Sequence, residues 1–558
     1  MLTIGQILFL TCFILVTEVA GSYMYINNKF TSFYTPKVKF GQNFSAQSNV
    51  YSNNHQSNLN QNNTDTFRQK TLYGNDFHGH FKAFRKFKTV SDKFKKENPT
   101  GDVVLSGDEW VGANREKNIA IVKMMNMCNI TAATPGNHNM DYNGAIGLSE
   151  MLDFAKFKTL ALNLQPKDKS NPAAFPLNDD IQAGRFASSM IVEENGRKIG
   201  YIGLVPIDLF SRLSTQSKEG TQDIKILNIK ETEDAVRREV EKLEKQGVNI
   251  IKLVSHLGKD ASVQLAQRVG GIDVINDGHS HDTLEGLVYG KNLLKSPRGE
   301  WVIVTQAGKN GHSYGLLDVV YDKQGRIIQA KNEIKNLDKE PENLVIKMVE
   351  DISLGIPEVI GVIAHEVKSK PETVLEESPL SAFLSDAYMK YSDADIVFNN
   401  MGGIRASLPA GPVTDREIMD LMPFYNDVNV YKLSEKDIID VLNSAVQATS
   451  KYHRTGALQV SGLRYRIGLD DKVKDVVMVK QDGTQVPLNS QNPSNDKFFK
   501  VAYNTFVAGG SEGLEALACP EKIIHKCEKN ETQMLIDYIK SFNGQPIDIH
   551  EDGRIAHD

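Results

Sequence analysis

The chain has 558 residues, of which 40% are hydrophobic and 24% charged, a size and balance that suit two globular domains plus extra segments. A formal net charge of −6 excludes a general nucleic-acid binder, which needs a basic surface to neutralise phosphates. Cys12, Cys128, Cys519 and Cys527 are too few for a disulfide scaffold and lack paired metal-ligand spacing, and Cys519 with Cys527 reads equally as a disulfide or as two free thiols.

Residues 4–19 form an apolar run broken only by Gly5, Gln6, Thr11, Thr17 and Glu18, and Val19-Ala20-Gly21 then offers small residues suited to a signal peptidase. The run is short of the roughly 20 apolar residues that span a bilayer, and no Lys or Arg precedes it. Residues 1–24 are therefore expected to be a signal peptide or membrane anchor. The protein is then expected outside the cytoplasm: secreted, periplasmic or anchored at the cell surface. Residues 45–65, SAQSNVYSNNHQSNLNQNNTD, hold too little apolar surface to offset their ordering entropy. The stretch 25–68 accordingly reads as a disordered polar linker, able to tether the globular part of the chain to a membrane.

Beyond Phe67, short apolar runs alternate with helical patterns, the mark of a layered α/β domain. The basic, aromatic run 81–96 places Phe81, Phe84 and Phe87 at helical spacing and reads as an amphipathic helix. Met124, Met125 and Met127 read as core filler. Strands are expected at 103–105, 250–254, 273–275 and 301–305. A helix is expected over 233–246, with Val236, Val240 and Leu243 on one face and Gly247 as its stop. Residues 343–360 read as a single helix joining this region to a second α/β region. There, strands are expected at 396–398 and 498–502, a helix at 435–449 and a Gly-rich loop at Gly509-Gly510. The expected divisions are 69–340, a linking helix within 341–365, and 366–558.

Five segments share one design, a short apolar strand ending in polar residues able to bind metal: Asn75-Asp76-Phe77-His78-Gly79, Ser106-Gly107-Asp108, Gly136-Asn137-His138, Ser255-His256-Leu257-Gly258 and Gly278-His279-Ser280-His281. In open α/β sheets ligands bind at the carboxyl ends of strands, so these segments converge on one rim. Asp76, His78, Asp108, Asn137, His256, His279 and His281 mix hard oxygens with imidazoles, which suits Zn, Mn or similar divalent ions. Seven such groups are too many for one ion and enough for two.

These segments resemble the ordered D-x-H, G-D, G-N-H, H and G-H-x-H blocks of the calcineurin-like metallophosphoesterase superfamily. They are similar in particular to the 5′-nucleotidase family within it, through GNDFHG (74–79), SGDEWVG (106–112), TPGNHNMDYNG (134–144), SHLGKD (255–260) and DGHSHD (277–282). C-terminal counterparts are NMGGIR (400–405), LMPFYN (421–426) and NTFVAGGSEG (504–513). The resemblance implies a four-layer α/β/β/α sandwich, a smaller C-terminal α/β substrate-binding domain and an active site between them. It also implies two divalent ions, one held by Asp76, His78, Asp108 and His281 and one by Asp108, Asn137, His256 and His279. It further implies nucleoside 5′-phosphate hydrolysis by metal-activated hydroxide, with His138 as the catalytic histidine oriented by Asp141. Asn400, Arg405, Phe424 and Phe506 would line the nucleotide site; from the residues alone, Phe424 and Phe506 read as core.

The chain departs from the family at Val374, where the block continuing LEESPLSAFLSDA (375–387) usually carries an Arg three residues before its Glu-Ser pair. Ser381-Ala382 also replaces a Gly-Asn, and in the Gly-rich loop Ser511-Glu512 leaves Glu512 as the carboxylate for the ribose hydroxyls. A 2′,3′-cyclic nucleotide phosphodiesterase or UDP-sugar hydrolase on the same scaffold is therefore the alternative, and a non-catalytic nucleotide-binding surface protein a further one.

Overall fold

The computed structural model describes residues 66–369, 373–452, 456–510 and 514–558. The expected leader and nearly all of the expected linker lie outside the described residues; the first strand starts at Phe67. Two sheets stack face to face. One has seven strands in the order Ile327–Asn336, Ser313–Tyr321, Phe67–Gly74, Asp102–Ser106, Ala132–Thr134, Lys158–Leu160 and Phe186–Ala187. The other has six: Leu293–Lys295, Trp301–Thr305, Val274–Asn276, Ile250–Ser255, Arg197–Leu204 and Ser189–Glu194.

The two-residue period of a strand explains the layering. Val103 and Leu105 point into a core shared with helices, while Val104 between them points into the core between the sheets. Ile199, Ile250 and Val254 meet it there from the second sheet. On the outer side of the second sheet, Leu253 packs with Val236, Val240 and Leu243 of the helix Ile229–Lys245, which Asn228 and Glu231 close with a capping box. The outcome is the expected α/β/β/α sandwich. The basic aromatic run is the helix Phe81–Glu97, with Phe81, Phe84 and Phe87 buried in the core of the first sheet. Phe77 meets Phe84 and Phe87 edge-on at 4.9 and 5.2 Å, pairs worth about 0.5–1.5 kcal/mol each beyond area burial. Met124 and Met125 are likewise core, and Met127 packs at its edge.

Residues 343–360 do not form one helix. The helix runs Leu344–Leu354, with the Asn343 side chain accepting from the Val345 and Ile346 amides at its start. Gly355 ends it with φ of 84°, a left-handed turn that costs glycine little, and Pro357 follows closely. Val359–Ile363 is extended and pairs with Gly411–Thr414 and Pro546–Ile547 in a three-stranded sheet.

The C-terminal region adds a five-stranded sheet, in the order Gln459–Ser461, Ile396–Asn399, Phe498–Asn504, Asp427–Ser434 and Ile523–Asn530. A four-stranded sheet lies alongside. Tyr431 and Tyr503 stack across neighbouring strands at 3.9 Å. Cys519 and Cys527 carry free thiols, as does Cys128. Among the described residues no helix is long and apolar enough to cross a membrane.

Candidate functional site

The central strands of both sheets run parallel, so their carboxyl ends share one rim. The turns leaving those ends are stapled together by main-chain hydrogen bonds: the Asp76 amide donates to Gly107 O (2.9 Å) and the His78 amide to Asp108 O (2.8 Å). Of the 14 described non-glycine residues with positive φ, five are Asp76, His78, Asp108, His279 and His281. L-residues take that conformation only where surroundings impose it, and it clusters at functional sites. Glycines beside them leave the space the ligands need. A Cβ on Gly136 would stand 2.1 Å from Asp108 Oδ1 and 2.6 Å from His256 Nε2, and one on Gly278 would stand 2.6 Å from His256 Nδ1.

The side chains face one another. Asp108 Oδ2 lies 3.2 Å from His256 Nε2 and 3.7 Å from His78 Nε2. Asp76 Oδ1 lies 3.2 Å from His281 Nε2, 3.6 Å from His78 Nε2 and 3.7 Å from His256 Nε2. Two donor atoms about 2.1 Å from one cation, at about 90–110°, stand roughly 3.0–3.4 Å apart, so the two 3.2 Å pairs fit shared metal ligation and the 3.6–3.7 Å pairs lie slightly wider. Several of the candidate ligand atoms are also left without hydrogen bonds. Asp76 Oδ1, His78 Nε2, Asn137 Oδ1 and His256 Nε2 are all buried and unsatisfied, a costly arrangement that a cation would relieve.

Outer partners set the imidazoles. His78 Nδ1 donates to Asn310 Oδ1 (2.8 Å) and His256 Nδ1 to Ser106 O (2.5 Å), which turns each Nε2 lone pair inward. Burial opposes a charged His256, yet the Asp108 and Asp76 carboxylates push it up to about 10. In His78 burial prevails and the shift is downward. The two carboxylates thus make the cage attractive to positive charge. Among the described residues, three groups have the spacing to hold a metal: Asp76–His78–His281, Asp76–Asp108–His256 and His78–Asp108–His138.

His138 and His279 stand at the edges of this cluster. The His138 amide donates to Asp108 Oδ1 (2.8 Å), and its Nδ1 pairs with Asp141 Oδ2 at 2.8 Å. Burial alone would depress the imidazole, but the Asp141 and Asp108 carboxylates outweigh it and hold its pKa above the usual value. The His279 amide donates to Asp76 Oδ2 (3.0 Å), while its ring Nε2 faces outward to Asp208 Oδ1 at 3.2 Å.

The cage forms the floor of a cleft of about 1460 Å³ whose opposite wall is C-terminal. Asn400, Arg405, Phe424 and Phe506 all line it, as does Val374. The Arg405 guanidinium lies over the Phe424 ring at 4.9 Å, and that ring stands 5.5 Å from His138. Phe506 is exposed and Phe424 half-buried, so neither is the core residue its type alone predicts. Glu512 lies outside the described residues. The 375–387 block serves as framework: Glu377 accepts from the Asp552 and Arg554 amides, and Ser378 caps the helix Pro379–Ser392. His80 turns away from the cage, its Nδ1 4.0 Å from Asp420.

Several supporting residues escape sequence reasoning. Asn139 Oδ1 accepts from both the Asp108 and Gly136 amides (2.9 and 2.7 Å), joining two of the ligand turns; its place inside the Gly-Asn-His-Asn run is the available signal. Asn310 and Asp208 come from loops that carry no readable pattern.

A family model for the 5′-nucleotidase C-terminal domain matches residues 359–519. A probable 5′-nucleotidase of Treponema pallidum (strain Nichols) is 26% identical over 498 residues, which cover 76% of this chain and 80% of that protein. An apyrase of Tabanus yao is 24% identical over 544 residues, covering 88% and 93%. Among solved structures, the 5′-nucleotidase precursor from Thermus thermophilus superposes with a TM-score of 0.68 at 26% identity, covering 88% of this chain and 99% of that one.

Proposed function

Since this chain belongs to the 5′-nucleotidase family of phosphoric ester hydrolases, we propose that it releases phosphate from nucleoside 5′-monophosphates at the cage, using two divalent ions. The observation that carries this reading is the set of buried, unsatisfied ligand atoms at shared-cation spacing, facing an Arg and two aromatic rings across one cleft. Ions bound there supply Lewis-acid polarisation of the phosphate and ionised water near neutral pH. Asp76, His78, Asp108 and His281 would hold one, and Asp108, Asn137, His256 and His279 the other.

The chain's own groups do the rest. His138, whose protonated form Asp141 favours against the effect of burial, neutralises charge building on the phosphoryl oxygens or the departing ester oxygen. Arg405 offers a planar fork to the phosphate or a carboxylate. Phe424 and Phe506 take the base between their faces, a contact worth about 1–3 kcal/mol per base and tolerant of base identity.

The direct test is hydrolysis of AMP, ADP, 2′,3′-cyclic nucleotides and UDP-glucose with added Mn or Zn, read as free phosphate for AMP and ADP and as nucleoside monophosphate for the cyclic and sugar substrates. AMP is expected to turn over fastest and chelation to abolish the activity. Faster turnover of the cyclic or sugar substrates would reassign the specificity, and metal-loaded protein inert towards all of them would end the reading. Alanine at Arg405 should raise KM for AMP about 10–100-fold, the equivalent of one charge-assisted hydrogen bond, with a smaller change in kcat. Unchanged KM would remove Arg405 from the substrate site.

A further inference from the structure

The outward nitrogen of His279 meets a carboxylate that no motif points to. Asp208 precedes the short helix Leu209–Arg212, at the position where an Asp side chain ordinarily caps the first turn. It makes no such bond. Its Oδ1 lies instead 3.2 Å from His279 Nε2, and its Oδ2 accepts from Arg212 Nε at 2.8 Å. Both carboxylate oxygens are therefore engaged, one by the imidazole and one by a guanidinium a turn further along, which holds the group in place.

His256 and His78 rest their outer nitrogens on neutral oxygens, Ser106 O and Asn310 Oδ1. His279 rests its own on a charge. With Nε2–H donating to Asp208, the lone pair of the ring falls on Nδ1, and the negative neighbour makes that nitrogen a stronger donor to a cation. His279 is also the more exposed ring, at 18% against 0% for His256, so packing alone fixes it less firmly.

We propose that Asp208 is a positioning residue for the divalent-ion site that includes His279, acting through the imidazole to fix its tautomer and strengthen its hold on that ion. The inference rests on the reading above that the cage binds two divalent ions. It assigns a role to the loop after the strand Arg197–Leu204, which faces the cleft beside the cage. Asp208 touches no reacting atom in this role.

The test is cobalt titration of the metal-stripped full chain, followed by calorimetry and by the visible spectrum of bound Co²⁺. Wild type should take up two ions. Asp208→Ala should weaken one of the two about 10–100-fold and alter its spectrum while the other binds as before, the usual cost of losing a carboxylate behind a ligating histidine. Asp208→Asn keeps an acceptor oxygen without the charge and should fall between the two; being nearly isosteric, it also serves if the alanine variant fails to fold. Retention of the second ion at wild-type affinity reports an intact fold. Two ions bound by Asp208→Ala with unchanged affinities would overturn the proposal while leaving the phosphoesterase reading standing. Wild-type protein that takes up no cobalt would sink both.

Discussion

Alanine at Asp108 should reduce phosphate release by about 10³-fold or more. No other carboxylate is as central. Its Oδ2 faces His256 and His78, its Oδ1 accepts the His138 amide, and its own amide and carbonyl join the Gly136–Asn139 and His78 turns. It is the one group common to both proposed ion sites. Its removal therefore takes charge from both and frees the backbone of His138. Steady-state phosphate release, measured alongside metal content, checks this. A variant that keeps more than about a tenth of wild-type activity with both ions bound would show that Asp108 does not bridge.

Loss of the His138 imidazole comes next. His138→Ala should lower kcat about 10²–10⁴-fold, the range for a positioned proton-bearing group, with KM little changed and both ions retained. The neighbouring carboxylate gives a sharper test. Asp141 raises the His138 pKa, so the protonated ring persists to higher pH than an isolated histidine would allow. Asp141→Asn removes that support, the proton is lost at lower pH, and the alkaline limb of the kcat profile should move downward. An unmoved limb would assign it to another group. If His138→Ala instead lost an ion, the spacing of His138 with His78 and Asp108 would mark it as a ligand.

Much of this site is legible in the sequence, for a physical reason. The seven proposed ligands fall within a few residues of the ends of five strands, and each of the five turns contains a glycine, so strand, turn and candidate ligand occupy one short segment. Asp76-Phe77-His78 and Gly278-His279-Ser280-His281 carry the pattern whole. The supporting residues have no such local signature. Asn310 reaches His78 from 232 residues away, and nothing near it in sequence marks it. Phe424 and Phe506 can be placed in a cleft only through the family resemblance, because their exposure depends on a wall built by distant segments. The helix after Asn343 reads too long because its apolar periodicity continues past Gly355; the left-handed turn there outweighs the pattern.

Gly112 touches the C-terminal wall with no slack. A Cβ there would stand 1.9 Å from Pro423 O, its amide is held by Asp141, and the next amide donates to Phe424 O at 3.0 Å. The ring proposed to grip the base is thereby referenced to the same carboxylate that orients His138. The two jaws form a caliper whose gap is set by bare main chain, and close-packed backbone does not stretch. If the cleft takes nucleotides as proposed, substrate choice becomes a matter of length: an ester whose phosphorus-to-base span matches the gap would be gripped at both ends, and a shorter or longer one would forfeit one grip.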